Sequence, residues 1–110
     1  LIPKSSNIRN SEINSSSLGQ KCRVMEAAIE GSVIFDDVSI GNNTVIGGSI
    51  IGSGCRIGRD VDIQDSVIGD NVRIGDDCRI AKGARIGPDI AIPEGKKING
   101  TLLPEGLRED

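Results

Sequence analysis

The sequence predicts an all-β fold, a single chain of short parallel strands wound into a parallel β-helix of triangular section. Three observations predict it. Aliphatic residues recur every five or six positions, at Leu18, Val24, Ile29, Ile34, Ile40, Ile46, Ile51, Ile57, Ile63, Ile68, Ile74, Ile80, Ile86, Ile92 and Ile98. Two places before many of them stands a smaller apolar or neutral residue: Cys22, Val38, Thr44, Cys55, Val61, Val72, Cys78, Ala84 and Ile90. Three places after nine of them stands Asn, Asp or Gly: Asp37, Asn43, Gly54, Asp60, Asn71, Asp77, Gly83, Asp89 and Gly95.

A fixed spacing kept over most of a chain is the mark of a solenoid, so the period is read before any single element. Inward residues two apart make each step a short strand with one face turned to the interior. Asn, Asp and Gly tolerate a left-handed backbone, which makes their positions the corners between strands.

The five-residue steps form a second series, of which Ile29-Glu30-Gly31-Ser32-Val33-Ile34 and Ile46-Gly47-Gly48-Ser49-Ile50-Ile51 are examples. Ser16, Ser32, Ser49 and Ser66 recur through it at intervals of 16, 17 and 17 residues. Three steps therefore close one turn. Successive turns stack as parallel strands about 4.8 Å apart. The 90 residues from Ile8 to Ile98 make roughly five coils and a prism about 25 Å long.

The β-helix is assigned to residues 1–98, with a weaker turn at Ile8 and Ile13. Residues 99–110 lose the repeat and are assigned as a tail over the last coil. There Leu102, Leu103 and Leu107, set among Pro104, Gly100 and Gly106, would cover the open strand edges. The numbering opens at Leu1 rather than Met, which leads us to expect an N-terminal partner domain upstream.

Composition agrees with many corners and few rings. The 110 residues include 15 Gly, one Phe, and no Trp, Tyr or His. The formal charge of −3 comes from interspersed acids and bases, which argues against a nucleic-acid or anionic-lipid surface. No apolar run is long enough for a membrane span and none resembles a signal peptide, so a cytoplasmic protein is expected.

The groups able to do chemistry have plain structural readings. Cys22, Cys55 and Cys78 fall at inward positions, with Cys78 on a different side from the other two. Cys22 and Cys55 share a column two coils apart, about 10 Å, too far for a disulfide. They read as buried free thiols acting as small hydrophobes in a reducing compartment. Asp36-Asp37 and Asp76-Asp77 fall at corners, where Asp serves the backbone rather than calcium or acid–base work. The glycines between Ile46 and Gly54 have no following Lys and no helix start, so they do not make a phosphate loop. Phe35 stands where sibling coils carry Gly52 and Gly69, either as an outward anchor for a neighbouring subunit or domain or as a partly covered surface ring. No catalytic, cofactor-binding or metal-binding residue is assigned. The interior column leaves no room for a buried cofactor.

Ile40-Gly41-Asn42-Asn43-Thr44-Val45, Ile57-Gly58-Arg59-Asp60-Val61-Asp62 and Ile74-Gly75-Asp76-Asp77-Cys78-Arg79 resemble the hexapeptide-repeat family. That resemblance implies a left-handed superhelix. Ser49-Ile50-Ile51-Gly52 and Ser66-Val67-Ile68-Gly69 look like the C-terminal domain of sugar-1-phosphate nucleotidyltransferases, the GDP-mannose pyrophosphorylase and glucose-1-phosphate branches among them. Ser32-Val33-Ile34 also fits, with Phe35 departing.

The resemblance implies an enzyme whose N-terminal catalytic α/β domain joins a nucleoside triphosphate to a sugar 1-phosphate and releases pyrophosphate. A Gly-rich loop and a divalent metal, magnesium, would act in that domain. The β-helix would bring subunits together through its flat faces as a homo-oligomer. The gamma and epsilon subunits of the translation initiation factor two-B look similar and offer a scaffolding alternative. Hexapeptide acyltransferases and the β-helical carbonic anhydrases share the fold, but rely on a His as general base or zinc ligand, which this sequence lacks.

Overall fold

The computed structural model describes residues 6–102. The first coil comprises β1 (Asn7–Arg9), β2 (Glu12–Asn14) and β3 (Ser17–Leu18). The second comprises β4 (Arg23–Met25), β5 (Ala28–Glu30) and β6 (Val33–Ile34), and the third β7 (Ser39–Ile40), β8 (Val45–Gly47) and β9 (Ile50–Ile51). The fourth comprises β10 (Arg56–Ile57), β11 (Asp62–Gln64) and β12 (Val67–Ile68). The fifth comprises β13 (Arg73–Ile74), β14 (Arg79–Ile80) and β15 (Arg85–Ile86), and the last β16 (Ala91–Ile92), β17 (Lys97–Ile98) and β18 (Thr101–Leu102).

Each coil contributes one strand to each of three six-stranded parallel sheets. The first face begins at β1, the second at β2 and the third at β3. Among the described residues the ladder therefore has six coils where the spacing predicts about five. The 90-residue span measures intervals, and five intervals separate six strands. The opening coils are also shorter: Ile8 pairs with Val24 and Val24 with Ile40, sixteen residues each.

Register stacks like on like. Ile46 pairs with Ile63 and Ile63 with Ile80 on the second face, and Ile34, Ile51 and Ile68 stack on the third. These isoleucines and the small residues before them make one continuous core, in which Ile46, Ile51 and Ile63 are fully buried. Burying each such side chain contributes on the order of 1.5–3 kcal/mol. Ile8 and Ile13 pack against this core in a complete first coil, stronger than their spacing suggests. At the other end β18 pairs with β15, so Leu102 continues the ladder past Ile98. The proposed cover by Leu103 and Leu107 lies outside the described residues.

All nine expected corner residues have positive φ. The six Asn and Asp cluster at 56° to 60°, and Gly54, Gly83 and Gly95 lie at 73° to 80°. In the five-residue steps the left-handed residue is the one before the serine: Ser15, Gly31, Gly48 and Asp65. Lys21 and Glu26 also adopt it, at 58° and 49°, although nothing in a long side chain favours that conformation. Coil closure imposes it.

Candidate functional site

The corner between the second and third faces holds a serine ladder. Ser16 Oγ accepts the Ser32 N–H at 3.0 Å, Ser32 Oγ that of Ser49 at 3.1 Å, and Ser49 Oγ that of Ser66 at 3.0 Å. Each hydroxyl in turn donates to the carbonyl two residues back, on Asn14, Glu30, Gly47 and Gln64. Ser32, Ser49 and Ser66 are buried, so these bonds satisfy groups that water cannot reach. The ladder stops where the step lengthens to six residues. There the Ala84 N–H bonds to Ala81 O within its own turn, and Ala81 O lies 2.9 Å from Ser66 Oγ as a second acceptor sharing its one proton with Gln64 O.

The three cysteines are buried free thiols, with Cys22 and Cys55 before first-face strands and Cys78 before a second-face strand. They do more than fill space. Cys22 Sγ donates to Phe35 O and Cys55 Sγ to Gly69 O, each at 3.1 Å, and Cys78 Sγ donates to Pro93 O at 3.2 Å. Thr44 Oγ1 does the same toward Gly58 O at 2.7 Å. Every acceptor is the carbonyl just after an inward isoleucine, one coil on. Spacing alone could not show this bond, because valine occupies the same position elsewhere. Burial, reinforced by the Asp70 charge, pushes the Cys55 thiol above its ordinary value.

The paired aspartates serve the corners. Asp36 Oδ1 accepts the Gln20 N–H and Asp76 Oδ1 the Arg59 N–H, both at 2.8 Å, while Asp37 and Asp77 supply the left-handed residue. Asp70 Oδ1 takes the Ser53 N–H in the same way. The Arg59 N–H holds the Asp76 carboxyl below its usual range, helped by the guanidinium, whose Nη2 lies 3.4 Å from Oδ2. The glycine run from Ile46 to Gly54 crosses two corners and forms no single loop. Gly48 and Gly54 turn the chain, whereas a Cβ on Gly52 would stand 2.7 Å from backbone atoms of Gly69 and Asp70.

With the interior committed to the fold, function falls to the outer faces. Val33, Ile50 and Val67 stand in register on the third face, each a little over 40% exposed. Phe35, 48% exposed, lies at the edge of the same face. Four of the six large apolar residues exposed among the described residues thus form one ridge. The first face presents Arg23, Arg56 and Arg73 at strand starts, with Arg56 directly beside Arg73. Among the described residues no helix is long and apolar enough to cross a membrane.

No curated protein matches the chain. Among solved structures it is similar to PerB from Caulobacter crescentus, seen in complex with CoA and GDP-perosamine. The TM-score is 0.86 at 24% identity over 91% of this chain and 51% of that one. The acetyltransferase domain of PglB from Neisseria gonorrhoeae is similar with a TM-score of 0.82 at 19% identity, over 89% and 50% of the two chains. The polysialic acid O-acetyltransferase OatWY follows at 0.65 and 16%, over 91% and 74%. The chain spans about half the length of the first two. At these identities the likeness is one of fold, and it makes the prism a left-handed β-helix. The profile of the GMPPB C-terminal domain matches residues 1–82. With 82 of its 110 residues matched, the chain belongs to the GMPPB C-terminal domain family, the C-terminal β-helix of sugar nucleotidyltransferases.

Proposed function

We propose that this prism is the non-catalytic assembly domain of an enzyme that makes a nucleotide-sugar from a nucleoside triphosphate and a sugar 1-phosphate. The family match supports the parent activity. The observation that carries the non-catalytic role is the structural use of the buried thiols, the ladder serines and the corner aspartates among the described residues. The thiols and Thr44 cap corner carbonyls, the serines bridge coils, and one aspartate of each pair, Asp36 and Asp76, holds a backbone N–H group while the other turns the corner. Catalysis belongs to an upstream α/β domain, and the divalent metal, magnesium, belongs there with it.

Acetyl transfer, the activity of the acetyltransferases among the structural neighbours, is the weaker reading. General-base catalysis at neutral pH is best served by His, which these 110 residues lack. The flat faces and the apolar ridge instead support contact between copies of the protein. A cytoplasmic setting fits the three free thiols. The test is removal of the prism from the full-length protein. Sedimentation should then show smaller particles while the upstream domain keeps its ability to release pyrophosphate. Unchanged particle size would contradict the assembly role, and loss of all activity from a folded upstream domain would contradict the non-catalytic one.

A further inference from the structure

The first face carries a column of outward residues with no acid in it. In register down the face run Asn7, Arg23, Ser39, Arg56, Arg73 and Ala91. By contrast, Arg59 pairs with Asp76 at a corner, and Arg79 stands in register with Asp62 on the second face. Ser39 is the short member between two long ones, so the column is notched there. Arg23 and Arg56 flank the notch, two strand spacings or about 9.6 Å apart.

We infer that this notch binds the phosphate group of a small phosphorylated molecule. Arg56 is already turned toward it. Its Nη1 donates to Asp37 O at 2.9 Å and to Cys55 O at 3.3 Å, and Asp37 belongs to the coil of Ser39, so the guanidinium leans back over the recess. Its Nε and Nη2 hydrogens have no partner among the described residues, nor has the exposed Arg23 guanidinium or the half-buried Ser39 hydroxyl. These donors converge on one small space. Lys21 adds a third positive charge to the rim, and Asp37 is the one carboxylate lining it. Asp36 and Glu26 belong to the corners on either side, where Asp36 is engaged by the Gln20 N–H.

The shape of the notch selects phosphate over a carboxylate. Two charge-assisted bonds of about 2.8 Å each, with the width of a phosphate between them, span the gap from one guanidinium to the other. A phosphate has oxygens for both arginines and a further one for the Ser39 hydroxyl beneath, and it brings nearly two negative charges. A carboxylate has two oxygens and one charge. Arg73 stands directly beside Arg56, a like-charge pair that is unfavourable until an anion lies against it. Holding the Arg56 guanidinium on two backbone carbonyls removes part of the ordering cost of binding.

Equilibrium binding of radiolabelled inorganic phosphate to the full-length protein tests this. Arg23→Gln, Arg56→Gln and Ser39→Glu are compared with the unaltered protein and with Arg79→Gln, which removes an equal charge from the second face. Circular dichroism confirms that each variant folds. Arg23→Gln and Arg56→Gln should each weaken binding at one site per chain about tenfold, and Ser39→Glu should abolish that site by placing a carboxylate in the notch. Arg79→Gln should bind as the unaltered protein does. Absence of phosphate binding in the unaltered protein would overturn the inference. So would equal binding by Arg56→Gln and the unaltered protein, which places the phosphate elsewhere, or equal weakening by Arg79→Gln, which reduces the effect to overall charge.

Discussion

The Ser66 backbone N–H donates to Ser49 Oγ, one coil away, at 3.0 Å, and the same hydroxyl donates to Gly47 O at 2.8 Å. One buried oxygen thus links two coils and closes a corner of its own. Ser49→Ala removes both bonds and leaves the Ser66 N–H without a partner in a dry site. The expected cost is about 2 kcal/mol, read as a lower denaturation midpoint at unchanged slope. A cost near zero would show that the ladder holds nothing together.

Glycine is needed for two different reasons, and two substitutions separate them. Gly31 has φ +58 with open space where a Cβ would stand, so Gly31→Ala should cost only about 1 kcal/mol of backbone strain. A Cβ at Gly52 would press on the backbone of Gly69 and Asp70 and on Asp70 Oδ1. Gly52→Ala should therefore cost about 3 kcal/mol or more, because the next coil has to move. Thermal melts of the two variants give the comparison.

The Cys55 thiol is raised by burial, so the folded state holds its proton more tightly than the unfolded state does. The associated stability is present below about pH 9 and is lost as pH rises through the raised value. Cys55→Val should flatten this alkaline decline. The column already accepts valine at Val38 and Val72, so the core should tolerate the change. An equally steep decline in the variant would place the proton loss elsewhere.

Asp76 behaves in the opposite sense. Its carboxyl is lowered chiefly by the Arg59 N–H, so its contribution is present above the usual carboxylate range and is lost as pH falls through the lowered value. Melting temperatures followed from about pH 5 to about pH 2 should fall less steeply in Asp76→Ala than in the unaltered protein. Parallel curves would remove Asp76 from the acid transition.

Most of the prism was legible because its residue types and its geometry agree. Inward isoleucines recur at the strand period, and Asn, Asp and Gly occupy corners that need positive φ. Lys21 and Glu26 were not legible as corner residues, since the stacked coils force a conformation that their side chains do not favour. The donor role of Cys22, Cys55 and Cys78 was hidden because valine fills the same position in neighbouring coils.

The most direct test is pyrophosphate release by the full-length protein, given a nucleoside triphosphate and a sugar 1-phosphate, with acetyl-CoA consumption followed in parallel. A nucleotidyltransferase with a non-catalytic prism should release pyrophosphate and leave acetyl-CoA intact. Consumption of acetyl-CoA by an acceptor sugar, with no pyrophosphate from any nucleotide and sugar phosphate pair, would contradict it.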